Sequence, residues 1–151
     1  MKILIMGLPD SGKTWLGERI SKHFNIPLWD ADVIRKTYND WDFSSRGRER
    51  QALRMRALAE IDPISISAFI APLPGLIRAF FPDKVIWMDT IREGKYEDTN
   101  KLFVEPLRPD VRIKTWIDEN QLFNSLEDIN HGMMDIQNFS KELIEKLDKL
   151  Q

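Results

Sequence analysis

No cysteine occurs in this chain of 151 residues. That absence removes disulfides, zinc–thiolate sites and thiol nucleophiles from consideration, and it fits a reducing cytosol. Also missing is any apolar run approaching the roughly 18 residues that a membrane span needs. The first residues run straight into a strand-like segment with no cleavable signal pattern, so a soluble cytoplasmic protein with no membrane partner is expected. Neither sign of charge dominates. The 22 Lys and Arg against 24 Asp and Glu leave a net charge of −2, which argues against a protein built to coat nucleic acid. Repeats, low-complexity tracts and linkers are absent too, and the length suits one domain, residues 1–151, around one core.

What is present begins at once. Ile3, Leu4, Ile5 and Met6 form a short apolar run that reads as a buried strand, and Gly7-Leu8-Pro9-Asp10-Ser11-Gly12-Lys13-Thr14 follows it as G-x-x-x-x-G-K-T. An amphipathic helix pattern (Leu16, Ile20, Phe24) starts immediately afterwards. Strand, glycine-bounded loop and helix are the context of a phosphate-binding loop. There, successive backbone N–H groups and the helix N-terminus face phosphate. Lys13 supplies a cation to the β- and γ-phosphates, and the Thr14 hydroxyl can hold Mg²⁺. Residues 7–14 are therefore the candidate ATP site.

The rest of the chain alternates. Helical pattern over Lys13–His23 is followed by a short strand at Pro27–Asp30 and a helix starting at Ala31. A polar, turn-rich stretch runs from Asn39 to Ser45, and Arg46–Glu60 is helical by composition. Ile64–Ile70 and Lys84–Asp89 read as strands, Leu76–Phe81 as a short helix between them, and Val111–Trp116 as a last strand. The segment 90–109 is charged and carries no clear pattern. Ile136, Phe139, Leu143, Leu147 and Leu150 recur at three- and four-residue steps, which predicts a packing helix. Trp116 and Phe123 are expected to pack on the sheet with it, and the same tail is a candidate homodimer surface. Strands alternating with helices imply a parallel sheet covered on both faces, with ligands beyond the carboxyl ends of the strands.

A second constellation sits at that rim. Asp30-Ala-Asp32 ends the second strand, with Arg35 one turn further on. Two carboxylates there can orient hydrated Mg²⁺ and take a proton from an attacking hydroxyl; either can instead cap the next helix. Downstream, Arg46, Arg48, Arg50, Arg54 and Arg56 crowd one helix. Arg46, Arg50 and Arg54 repeat every four residues as a solvated face, which leaves Arg48 and Gln51 off that line and able to meet an anionic acceptor.

Gly7 to Thr14, Asp30-Ala-Asp-Val-Ile-Arg35, Phe43-Ser44 with Arg48 and Gln51, and Ala68-Phe-Ile-Ala-Pro72 resemble adenylylsulfate kinase in order and spacing, over roughly the first two-thirds of the chain. The resemblance implies a three-layer α/β/α P-loop nucleoside triphosphate hydrolase fold of nucleotide-kinase type, with a central parallel sheet. It also implies Mg²⁺-dependent transfer of the ATP γ-phosphate to the 3′-hydroxyl of adenosine 5′-phosphosulfate. Carried onto this sequence, Lys13, Asp30 and Asp32 are catalytic, and Thr14 and Asp30 serve the metal. Asp30 serves the acceptor hydroxyl and the metal water, and Asp32 supports that site. Arg35 and Arg48 grip the phosphosulfate beside Gln51, which stands where the family usually has Asn. Ile70 lies on the substrate side, and Phe43 and Phe103 stack on opposite faces of the acceptor adenine.

Some positions depart from that pattern. Asp10 places a negative charge inside the phosphate loop where the family has a small residue, and Ala71 replaces a common serine. Arg92, Lys95 and Lys101, in the short segment 90–106, do not match the family's lid cations one to one. Two other readings therefore stay open: a kinase of a different small hydroxyl (a nucleoside, a modified nucleotide or a sugar acid), and a nucleotide-binding module without an acceptor.

Overall fold

The structure, a computed structural model, describes residues 1–151, the side chain of Met133 excepted. Five strands form one parallel sheet: β1 (Lys2–Met6), β2 (Leu28–Asp30), β3 (Ser65–Ala68), β4 (Lys84–Met88) and β5 (Val111–Ile113), in the order β2-β3-β1-β4-β5. β1 lies at the centre, and its register pairs Ile3 with Ile66 of β3 and Lys84 of β4. Every residue of β1 is buried, as a parallel sheet covered on both faces requires.

The alternation of side chains divides the core in two. Ile3 and Ile5 join Ile66, Ile86, Met88 and Ile113 on one face, under α1 (Lys13–Phe24), α6 (Glu119–Glu127) and α7 (Ile136–Lys149). Leu4 and Met6 turn the other way with Trp87, under α2 (Ala31–Tyr38), α3 (Ser45–Ala59) and α4 (Pro74–Phe80). This is a three-layer α/β/α architecture. On α1 the four-residue steps place Leu16, Ile20 and Phe24 against the sheet, and on α7 Phe139, Leu143 and Leu147 do the same.

Several boundaries differ from the sequence pattern for visible reasons. β3 stops at Ala68, two residues before Ile70, because the chain turns towards Ala71, which sits at φ 46°. β5 stops at Ile113, and the N–H groups of Lys114 and Thr115 donate to Gln151 Oε1 instead of to a strand. Two helices lie where no pattern was read: α5 (Glu97–Leu102), inside the charged segment, and α6, opened by Asp118, whose carboxylate caps Asn120 and Gln121. Trp116 and Phe123 do not pack on the sheet. Both are about half exposed, and Phe123 rests edge-on against His23 at 5.6 Å. No helix among the described residues is long and apolar enough to cross a membrane.

Candidate active site

All five strands point their carboxyl ends the same way, and the segments that follow each of them converge on a cavity of about 1030 Å³. One end of it, the candidate ATP site, is the loop between β1 and α1. Gly7 at φ 149° and Gly12 at φ 98° provide backbone states that side chains disfavour, and a Cβ on Gly7 would lie 2.6 Å from the Met88 carbonyl oxygen. The loop is closed by Ser11 N–H donating to the Leu8 carbonyl at 3.2 Å. α1 begins at Gly12 with no side-chain cap and no acidic residue in its first turn, so its leading N–H groups face the cavity without a side-chain partner. An anion is what such an end lacks.

Lys13 lies folded back over this cradle, its ammonium donating to the Leu8 carbonyl at 2.7 Å. Burial lowers its pKa from 10.5 to about 8, against the opposing pull of Asp32, Asp30 and Asp10. A nearby polyanion would reverse that shift, since an opposite charge favours the ammonium form.

The β2–α2 junction explains why two carboxylates sit where they do. Asp30 is the N-cap of α2: its Oδ1 accepts from Asp32 N–H at 2.9 Å and from Val33 N–H at 3.4 Å. The cap fixes the carboxylate so that Oδ2 accepts from the Thr14 hydroxyl at 2.6 Å. Capping and site-building are thus one arrangement here rather than alternatives. Asp32 lines the same cavity, exposed, and makes no side-chain hydrogen bond among the described residues. No three His, Cys, Asp or Glu side chains of the described residues gather into a metal cage. The Thr14–Asp30 pair nevertheless fits Mg²⁺, which binds through one or two protein oxygens and completes its shell with water and phosphate.

The opposite end, where the sequence resemblance places the acceptor, is built by α2, α3 and the loop between them. Arg35 is 5% exposed, and its Nη1 donates to the carbonyls of Asp40 at 2.9 Å and Asp42 at 3.2 Å. Its guanidinium lies 4.3 Å from the centre of the Phe43 ring, and that of Arg48 lies 5.4 Å from the same ring. Arg48 also donates through Nε to the Phe43 carbonyl at 2.9 Å. Both arginines are anchored by one edge, and both line the cavity with Phe43 and Ile70.

Of the arginines expected on a solvated face, Arg46 is exposed, and Arg50 and Arg54 do more. Arg50 and Arg54 clamp Asp40, Arg50 reaching it at 2.8 Å and Arg54 at 3.1 Å, and Arg50 extends to Asp42 at 3.2 Å. Those bonds, led by the one from Arg50, hold the Asp40 carboxyl well below the usual carboxylate range. They pin the loop that presents Phe43.

Two expected acceptor residues are placed differently. Gln51 borders the cavity, but its amide is occupied: Nε2 donates to the Ala31 carbonyl at 3.1 Å, and Oε1 accepts from Arg54 at 2.9 Å. Phe103 does not line the cavity: it is partly buried against the α2–α4 side of the core, beside cavity-lining Thr99, whose carbonyl accepts from its N–H at 2.9 Å. Other aromatic residues do reach the cavity: Trp15, Trp41, Tyr96 and Trp116. Trp116 lies over the phosphate loop, where a Cβ on Gly12 would come within 2.7 Å of its ring. Sequence reasoning missed it because the pattern runs the last strand through Trp116, where an aromatic reads as core. The one available signal was its place just beyond a parallel strand's carboxyl end.

No protein-family profile and no curated protein matches the sequence. Solved structures do match in shape. APE1195 is 18% identical, with 95% of this chain and 96% of its own covered, at a TM-score of 0.68. The Mycobacterium tuberculosis APS kinase CysC, solved with AMPPNP and APS, is 18% identical over 84% and 95% of the two chains, with a TM-score of 0.60. Shikimate kinase from Aquifex aeolicus vf5 is 16% identical over 89% and 100%, with a TM-score of 0.59. At such identities the likeness is one of fold, and that fold is the three-layer α/β/α arrangement of P-loop kinases.

Proposed function

We propose that residues 1–151 act as one ATP-dependent kinase domain for a small hydroxyl-bearing acceptor, with adenosine 5′-phosphosulfate the acceptor favoured by the sequence resemblance. The observation that carries the reading is the Thr14–Asp30 hydrogen bond of 2.6 Å, in a cavity shared by Lys13 at one end and Arg35, Arg48 and Phe43 at the other. A protein that only binds nucleotide has no need of that second end.

In this reading the loop N–H groups and Lys13 hold the triphosphate, Thr14 would hold Mg²⁺, and Asp30 would reach the metal through a water of its shell, which leaves its carboxylate able to take a proton. The metal, when bound, neutralises charge on the phosphate oxygens. The acceptor hydroxyl oxygen attacks the γ-phosphorus, the bond to the bridging oxygen breaks, and ADP leaves with that bonding pair. The hydroxyl proton passes to the Asp30 carboxylate, with Asp32 supporting the site's charge. Arg35 and Arg48 are suited to an anionic group on the acceptor, and Phe43 to a flat one.

A second reading, a kinase of a different small hydroxyl such as a nucleoside, modified nucleotide or sugar acid, is favoured by one observation. Phe103 is absent from the cavity, and Trp41 and Tyr96 line it instead, so the acceptor's second face meets different chemistry. A coupled ADP-release assay with Mg-ATP and a panel of adenosine 5′-phosphosulfate, shikimate, gluconate and nucleosides separates the readings. Stimulation by the first of these supports the favoured acceptor. Stimulation by another compound supports the second reading. Slow hydrolysis that responds to none of them contradicts the kinase and favours a binding module.

A further inference from the structure

Asp10 is the residue of the phosphate loop that anion binding does not explain. It sits at φ 67°, a state aspartate tolerates better than most residues, with two-thirds of its side chain exposed. Its only side-chain partner among the described residues is Lys95, whose Nζ lies 3.8 Å from Oδ1. Lys95 lines the same cavity as Lys13, and the two ammonium groups repel.

The segment carrying Lys95 rests on the loop at three successive residues. The Thr90 hydroxyl donates to the Ser11 carbonyl at 2.7 Å. Gly94 lies so close to Pro9 that a Cβ there would come within 2.9 Å of the Pro9 ring. Between these anchors, Lys95 meets Asp10. Asn100 braces the turn by accepting from Gly94 N–H at 2.8 Å and donating to its carbonyl at 2.9 Å. Lys95 is therefore stationed over the phosphate cradle by fixed backbone, while its head has one exposed carboxylate, Asp10, as its charged partner and the Tyr96 ring at 5.3 Å as its other neighbour.

We propose that Asp10 competes with the nucleotide for Lys95: the carboxylate holds the ammonium in the empty site, and the phosphates of a bound nucleotide take it over. This inference rests on reading the loop as a nucleoside triphosphate site. Magnitude favours the exchange. An exposed pair of this kind shifts an equilibrium by only about two- to fivefold, and a triphosphate offers several charges where Asp10 offers one. Lys95 thereby becomes a second phosphate-contacting cation beside Lys13. Asp10 tunes affinity downwards, which explains a carboxylate in a loop that binds anions.

The test is a double-mutant cycle on Mg-AMPPNP binding, by titration calorimetry at low ionic strength, where screening is weakest. The proteins are the native chain, Asp10→Asn, Lys95→Gln and the double variant. Asn keeps the left-handed backbone, and thermal melts confirm folding. If Asp10 acts through Lys95, Asp10→Asn tightens binding in the native background by about two- to fivefold more than it does in the Lys95→Gln background. An equal or larger gain in the Lys95→Gln background means direct repulsion of phosphate by Asp10, and overturns the proposal. So does the absence of any gain in the native background. A native chain that does not bind Mg-AMPPNP at all overturns the triphosphate-site reading itself, and the two failures are thus told apart.

Discussion

Asp30 performs two tasks with its two oxygens, and substitution can separate them. Oδ1 caps α2 through the N–H groups of Asp32 and Val33, while Oδ2 holds the Thr14 hydroxyl. Asparagine is as good an N-cap as aspartate, so Asp30→Asn keeps the Oδ1 bonds and should change stability by no more than about 0.5 kcal/mol. It removes the charge and the proton acceptor at the Oδ2 position. Turnover should then fall by roughly 10²–10⁴, the range for losing a positioned acid–base group. Mg-AMPPNP affinity, which also draws on the loop and Lys13, should change by less than about tenfold. Asp30→Ala loses cap and charge together: it should show the same loss of turnover plus about 1 kcal/mol of stability, or roughly 2–4 °C in melting temperature. Steady-state kinetics with the stimulating acceptor, calorimetric titration and thermal melts on both variants measure each part. An asparagine variant with near-native turnover would refute the catalytic role and leave Asp30 as a cap alone.

Other expectations come from the same geometry. Lys13, with its pKa lowered by burial to about 8, loses its charge in the free protein as pH rises through 8. Mg-AMPPNP affinity should fall above that pH, with roughly one molecule in ten still charged at pH 9. Because the bound polyanion restores the ammonium form, titrations near pH 9 in buffers of different ionisation enthalpy should report proton uptake; none would contradict the shift. Arg48→Ala should raise the acceptor KM by about tenfold while leaving the ATP KM within about twofold, and equal effects on both would place Arg48 outside the acceptor end. Gly7→Ala should cost at least about 2 kcal/mol of stability in a urea melt, since it combines a disfavoured φ with a clash against the Met88 carbonyl. A native midpoint would show that the loop relaxes freely.

The placement of the loop end of the cavity was legible in the sequence because it is local. Strand, loop and helix from Lys2 to Phe24 are one continuous segment, and both Lys13 and Thr14 fall where the motif predicts. Asp30 was legible for the same reason, since a carboxylate at a strand-to-helix junction has few places to go. The opposite end depends on which neighbour satisfies each polar group, and sequence does not record that. Gln51 is spent on the Ala31 carbonyl and Arg54, and Arg50 and Arg54 are spent on Asp40. Phe103 and Trp116 exchanged expected places. Nothing in their spacing distinguishes an aromatic that fills the core from one that lies over a loop, and only long-range packing decides. α6 was the recoverable omission, with Asp118 as its cap and Leu122 and Leu126 one turn apart.

A cavity that joins a triphosphate to an acceptor hydroxyl must leave the γ-phosphate on the acceptor. Phosphorus NMR of the chain with Mg-ATP and the stimulating acceptor tests it most directly, because it reads where the phosphate goes. A new phosphomonoester resonance should grow in step with ADP and be lost in Asp30→Asn. ADP accompanied only by inorganic phosphate, at a rate the acceptor does not change, would contradict it.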